Sequence, residues 1–353
     1  METFTKSLAM RNPEGGGASI GPRRARQLSV DDYLAGVRGG DRAVLARAIT
    51  LIESRSRQHD VLAQELLSRV LPHTGGAKRL GVTGAPGVGK STFIEAFGCF
   101  LVDQGRKVAV LTIDPTSSRS GGSILGDKTR MERLSQLPNA FIRPSPSGDS
   151  LGGVARRTRE TLLLCEAAGF DTIIVESVGV GQTDIALRSM VDFFLLLLLP
   201  GAGDELQGIK KGIVEIADLV AINKADGENR SRAEQTRAEH EPALHYIQPA
   251  TAGWKTEVRL CSGLTGEGVP EIWERIVQFY ATLEPTGAIA ARRRQQTLDW
   301  LTDLIRDELH RRFYADPKVQ GQLPALQQAL LRGETTPVLA ARTLLEMHKG
   351  GRE

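Results

Sequence analysis

Only three cysteines occur in 353 residues, and Cys99, Cys165 and Cys261 stand far apart with no C-x-x-C pair. That excludes a disulfide framework and a cysteine zinc site. It points to a reducing compartment, the cytoplasm, or the mitochondrial matrix in a eukaryotic cell. The six histidines are scattered, and no pair has ligand spacing. An excess of charge of one sign is also lacking: 45 basic residues face 42 acidic ones, a net +3. Such a balance implies neither a nucleic-acid partner nor an anionic membrane. No long apolar run exists. The longest, Phe193 to Leu199, is far short of the ~20 residues of a membrane-spanning helix.

What is present is ordinary globular composition, with 41% hydrophobic and 25% charged residues. The length suits one large domain with smaller appendages. One stretch organises the rest: Gly84-Ala85-Pro86-Gly87-Val88-Gly89-Lys90-Ser91, followed by Thr92. It fits G-x-x-x-x-G-K-[ST], the phosphate-binding P-loop. The apolar run Arg79–Thr83 before it reads as a buried strand. The segment Ser91–Phe97 after it opens a helical pattern. Glycines at these positions let backbone N–H groups face phosphate oxygens, aided by the helix N-terminus. Lys90 is placed to reach the β- and γ-phosphates of a nucleoside triphosphate. The Ser91 hydroxyl is placed to ligate Mg²⁺, a cation that takes few protein ligands.

Along the chain, residues 1–28 hold a triple glycine and clustered arginines without apolar periodicity, and read as a disordered tail. Glu2 and Glu14 argue against a mitochondrial transit peptide. Residues 29–74 read as a helical segment. Val44, Leu45, Ala48, Ile49 and Ile52 lie on one face; Val61, Leu62, Leu66, Leu67 and Val70 lie on another; Pro72 is the stop. Residues 75–285 alternate strands with helices. Strands are expected at Lys107–Ile113, Asp171–Val175, Phe193–Leu199, Asp218–Ile222 and Val258–Cys261. This predicts an α/β fold, a P-loop NTPase with a doubly wound, mostly parallel sheet. The candidate polar residues fall just past strand C-terminal ends, where such sheets bind ligands. Residues 286–353 form a C-terminal helical arm with Leu298, Leu301, Leu304, Ile305 and Leu309 on one face. That stripe must be buried on a second subunit or on the chain's own domain.

Asn223-Lys224-Ala225-Asp226 follows its strand directly. The Asp226 carboxylate can accept both the ring N1–H and the exocyclic amine of guanine; adenine lacks the N1–H. Asn223 and Lys224 would brace the loop and cover the base, and Ser262, Gly263 and Leu264 can offer N–H groups to the guanine carbonyl. A solvated turn is the plain alternative. Glu176 ends its strand where P-loop proteins carry a metal-side carboxylate. The E-x-x-G spacing from Glu176 to Gly179 suits a segment whose N–H senses the γ-phosphate. Asp114 and Asp127 flank a Ser/Gly-rich loop that can order around phosphate and Mg²⁺, although each also suits a turn or helix cap. Gln182 is the candidate water-positioning residue. It is displaced, because Val180 and Gly181 stand between it and Gly179. Slow hydrolysis without a partner is expected.

These residues resemble the MeaB/ArgK/MMAA family of P-loop GTPases. The likeness is carried by Gly84–Ser91, Asp114-Pro115, Gly126–Met131, Glu176–Gln182, Pro200–Gly212 and Asn223–Asp226, and covers roughly residues 30–350. Pro200–Gly212 is its most specific part. The resemblance implies a GTPase chaperone of adenosylcobalamin-dependent methylmalonyl-CoA mutase, acting as a homodimer joined by the C-terminal arm. It also implies metal-side roles for Ser91, Asp114, Asp127 and Glu176. It makes residues 176–190 a second switch and 200–212 a third, with Lys210 able to move into the nucleotide site beside Lys90, Glu176 and Gln182. Lys210 and Lys211 equally suit a solvated helix start. Gly263 departs from the alanine usual in the family. Two alternatives stand beside this one: a nickel-type metallochaperone GTPase, for which ligand-spaced histidines are lacking, and a P-loop kinase, for which no acceptor motif is legible.

Overall fold

The computed structural model describes residues 28–54, 56–113, 131–144, 151–177, 179, 181–201, 211–244 and 246–349. Three helices come first: α1 (Val30–Arg38), α2 (Arg42–Glu53) and α3 (Arg57–Val70). Local chemistry sets their ends. Ser29 and Asp32 form a reciprocal capping box on α1, and the Asp41 side chain accepts from Ala43 and Val44 N–H at the start of α2. Pro72 lies in a short 3₁₀ turn, Leu71–His73, that leads to the sheet. Val61 is the one misplaced residue of the expected face, at 69% exposed. At 3.6 residues per turn it falls opposite Ala63, Leu66, Leu67 and Val70.

The sheet follows: β1 (Lys78–Gly84), α4 (Lys90–Asp103), β2 (Val108–Ile113), α5 (Glu132–Gln136), β3 (Ala140–Arg143), α6 (Leu151–Ala167), β4 (Thr172–Ser177) and α7 (Gln182–Arg188). It continues through β5 (Phe193–Leu198), α8 (Lys211–Glu215), β6 (Leu219–Ile222), α9 (Asn229–Leu244), β7 (Val258–Leu260) and α10 (Val269–Leu283). The strand order is β3-β2-β4-β1-β5-β6-β7 and every pairing is parallel. The expected doubly wound architecture is therefore present. One strand was not anticipated: β3, only four residues long, too short to show a period.

Both faces are covered, which is why β5 reads as an unbroken apolar run, Phe-Phe-Leu-Leu-Leu-Leu, buried throughout. Phe194, Leu196 and Leu198 enter the core shared with α1, α2, α3 and α6, whereas Phe193, Leu195 and Leu197 enter the core shared with α4 and α10. The N-terminal helices are thus part of one face of the sheet.

The chain ends in α11 (Ala288–Ala315), α12 (Pro317–Leu331) and α13 (Pro337–Lys349). The first turns of α11 are fastened to the sheet by Arg293, which donates to Asp192 through Nε at 2.8 Å. Farther along, Leu298, Leu301, Ile305 and Leu309 are each more than half exposed. No helix among the described residues is long and apolar enough to cross a membrane.

Candidate functional site

Residues 84–91 join central strand β1 to α4, so the loop starts from a backbone fixed on both sides by β4 and β5. Lys90 is the first residue of α4. Its Nζ donates to the carbonyls of Gly84 at 2.8 Å and Ala85 at 3.1 Å, which holds the cation over the loop's entrance. Val88 is fully buried and pins the middle of the loop to the core.

The end of β4 runs alongside β1. Glu176, expected to end its strand, is the penultimate residue of β4, which runs on to Ser177, and it pairs with Val82. Ser91 Oγ donates to Glu176 Oε1 at 3.2 Å. Two hard oxygen groups from opposite sides of the loop therefore meet, a donor set that suits Mg²⁺. Asp114 and Asp127, expected on the same side, lie outside the described residues, as do Lys210 and most of the 200–212 segment. Gly179 has φ +77°, and a Cβ there would stand 1.9 Å from the Gly84 carbonyl oxygen. Only glycine permits so close an approach of this segment to the loop. Gln182 is exposed at the start of α7.

The second group comes from the ends of β6 and β7. Asn223 Nδ2 donates to the Val88 carbonyl at 2.8 Å, and Lys224 Nζ to the Gly87 carbonyl at 2.9 Å. Lys224 has φ +60°, the one positive value outside glycine among the described residues. That turn carries Asp226 onward into an open cleft lined by Ala225, Asp226, Gly227, Thr265 and Gly266. Ser262 Oγ donates to Asp226 Oδ2 and itself accepts the N–H groups of Leu264 at 3.2 Å and Thr265 at 3.1 Å. Each carboxylate oxygen has two lone pairs, so acceptor capacity remains for a base. Leu264 is 81% exposed beside it. Gly263 brings this loop against α4: a Cβ would stand 2.8 Å from the Phe93 nitrogen and Cα, so glycine permits a tighter seat here. Burial pushes the Cys261 thiol up to about 12. It therefore stays protonated beside Asn223 Oδ1, 3.7 Å away.

Three residues to which the sequence reading gave no role also gather here. Thr83, Ser177 and Asp184 meet in a buried hydrogen-bonded cluster under the Gly179 segment. Ser177 lies within the Glu176–Gln182 motif, but nothing in the sequence marks its meeting with the remote Thr83, and all three are ordinary in type.

The family model for the methylmalonyl Co-A mutase-associated GTPase MeaB matches residues 45–318. A putative GTPase of Caulobacter vibrioides is 54% identical over 318 residues, covering 90% of this chain and 97% of that protein. GTPase ArgK of Escherichia coli is 48% identical, covering 82% of this chain and 88% of its own length. The mitochondrial methylmalonic aciduria type A homolog of Mus musculus is 44% identical, covering 92% and 80% respectively. Among solved structures, that of a LAO/AO transport system kinase superposes with a TM-score of 0.74 at 38% identity, covering 91% of this chain and 97% of the other.

Proposed function

Because the chain belongs to the family of methylmalonyl Co-A mutase-associated GTPases MeaB and is itself a GTP-hydrolysing enzyme, we propose that it gates delivery of adenosylcobalamin to a methylmalonyl-CoA-type mutase and protects that enzyme. The observation that carries this reading is the family match over residues 45–318, which spans the phosphate loop, both base loops and the 200–212 segment between them.

The site geometry supports specific roles. Lys90, anchored over the loop entrance, is the cation for the β- and γ-phosphates. Ser91 and Glu176, with Asp114 and Asp127, are the residues that would hold Mg²⁺. Bound there, the ion would neutralise charge on the terminal phosphates. Residues 84–92 cradle the phosphates through backbone N–H groups. Asp226, braced by Asn223, Lys224 and Ser262, selects guanine, and the Gly263-Leu264 backbone closes over the base. Gly179 and Gln182 serve the terminal phosphate and the attacking water.

Coupling to the mutase runs through residues 200–212. One root of that segment is anchored, since Gly201 N–H donates to Thr236 Oγ1 of α9 at 2.8 Å. It leaves β5, the neighbour of β1. A partner that orders it would bring Lys210 to the phosphates, as an arginine finger does in other GTPases. The exposed Leu298, Leu301, Ile305 and Leu309 stripe supports a homodimer through the C-terminal arm. The setting is the cytoplasm, or the mitochondrial matrix for a eukaryotic source; the mouse relative is named as mitochondrial.

GTP hydrolysis measured with and without a cobalamin-dependent mutase tests this. Basal turnover is expected to be slow and to rise with the mutase. Lys210→Ala should lose most of the stimulation while still binding GTP. Lys90→Ala should lose about 10²-fold of the rate, roughly 3 kcal/mol of transition-state stabilisation. Absence of stimulation by any cobalamin-dependent mutase would remove the chaperone role, and equal stimulation in Lys210→Ala would remove Lys210 from it.

A further inference from the structure

Under the segment joining β4 to α7 lies a polar cluster that neither phosphate nor base recognition uses. Thr83 on β1, Ser177 at the end of β4 and Asp184 in the first turn of α7 are 0%, 1% and 0% exposed. Ser177 Oγ donates to Asp184 Oδ1 at 2.6 Å, and Thr83 Oγ1 donates to the same oxygen. The two hydroxyl oxygens are 2.8 Å apart. With its proton directed at Asp184, Ser177 Oγ accepts the Gly179 N–H at 3.2 Å. Asp184 Oδ2 is buried and has no hydrogen-bond partner among the described residues.

That arrangement is costly for a purely structural contact. Two hydroxyls compensate Oδ1, but the hydration lost by Oδ2 is not returned by any described residue. An apolar side chain would hold α7 against β1 and β4 without that loss. What the carboxylate adds is direction. It fixes two hydroxyl rotors, and through Ser177 it fixes the resting place of the Gly179 N–H.

The positions in sequence say what is being aligned. Thr83 immediately precedes Gly84, the first residue of the phosphate loop. Ser177 immediately follows Glu176. Asp184 lies two residues after Gln182. One carboxylate oxygen therefore sets the entrance of the phosphate loop, the metal-side strand end and the start of α7 relative to one another. For the Gly179 N–H to serve a γ-phosphate oxygen it must leave Ser177 Oγ. Because Asp184 holds that hydroxyl in place, the acceptor is still there to take the N–H back after hydrolysis.

We infer that Asp184 is a positioning residue for GTP hydrolysis, aligning Gly179 and Gln182 with the phosphate loop through Thr83 and Ser177. The inference rests on the GTPase reading. Asp184 acts where the terminal phosphate is engaged. The base and the β-phosphate are held elsewhere, by residues 223–226 and 84–91.

The test uses the purified full chain. Asp184→Ala removes the acceptor. Asp184→Asn keeps an oxygen in the place of Oδ1 and exchanges only the unpartnered atom. Asp184→Ala is expected to lower kcat for GTP by about tenfold or more while GDP affinity stays within about threefold. It should also lose preference for a non-hydrolysable GTP analogue over GDP. Asp184→Asn should return kcat to within about threefold of the parent. A folded Asp184→Ala with parental kcat overturns the inference, as does a loss shared equally by kcat and GDP affinity, or an Asp184→Asn no better than Asp184→Ala. Where Asp184→Ala does not fold, Thr83→Val removes one donor at nearly constant shape and should itself lower kcat; parental kcat in that variant overturns the inference. The parent's own hydrolysis separates the two levels. Its absence would sink the GTPase reading together with the inference, whereas parental turnover with an indifferent Asp184→Ala sinks the inference alone.

Discussion

Asn223 at the end of β6 is hydrogen-bonded to Val88 of the phosphate loop, donating from Nδ2 to the backbone carbonyl at 2.8 Å. Its Oδ1 accepts the Gly263 N–H at 3.0 Å. One side-chain amide thus ties the phosphate loop to both base loops, and its donor and acceptor ends are not interchangeable.

Asn223→Ala should therefore weaken phosphate and base recognition together. It leaves a buried carbonyl and a buried N–H without partners, each worth about 1–3 kcal/mol. GDP affinity should fall about tenfold or more, since tenfold is ~1.4 kcal/mol. Asn223→Asp should do no better, because a carboxylate cannot donate to the Val88 carbonyl. Titration with a fluorescent GDP derivative, alongside thermal melting, measures both effects. Unchanged affinity in a folded Asn223→Ala would show that the loops hold their geometry without this bridge.

Base choice is expected to rest on Asp226. Asp226→Asn should weaken GTP binding and admit xanthosine nucleotides, because the amide presents a donor where xanthine carries a carbonyl. Competition among GTP, ATP and xanthosine triphosphate is the measurement. Equal affinity of the parent for ATP and GTP would refute the guanine assignment.

Asp192 is expected to be the main stability anchor between the sheet and α11. It is fully buried and accepts from Arg79 N–H at 3.1 Å, Tyr280 Oη at 2.8 Å and Arg293 Nε at 2.8 Å. Burial, reinforced by the neighbouring Asp192 charge, raises the Tyr280 phenol well above its usual pKa, so Tyr280 remains a proton donor. Asp192→Ala removes the countercharge of Arg293, leaving it only the Gly75 and Ala77 carbonyls, and should cost about 3 kcal/mol. Tyr280→Phe removes one neutral donor from an otherwise intact cluster and should cost about 1 kcal/mol. Urea unfolding followed by circular dichroism ranks the two, and the reverse order would show that Asp192 is not the centre of the cluster.

Much of the site was legible because its signals are contiguous. Gly84–Ser91 and Asn223–Asp226 are short segments in which backbone shape and side-chain chemistry are both written locally, and each adjoins an apolar strand. Their parallel strands were also legible, since a strand covered on both faces must be apolar at every position, as Phe193–Leu198 is. Strand β3 was not, because four residues display no period. Val61 shows a different limit: an apolar residue carries no mark of which side of α3 it occupies, and packing against α1, α2 and α6 decided it.

The sequence by itself determined the nucleotide loops, the alternation of strands and helices, and the order in which those segments leave the sheet. Only tertiary structure decided which side chains from distant segments meet. Ser91 finds Glu176, Asn223 finds Val88, and Asp184 finds Thr83 across about a hundred residues. The physical reason is the parallel sheet. It delivers the C-terminal ends of β1, β4 and β6 to one edge, so residues remote in sequence become neighbours there. Motif spacing reports chemistry along the chain; a hydrogen bond between strands depends on register and burial, which exist only once the sheet has formed.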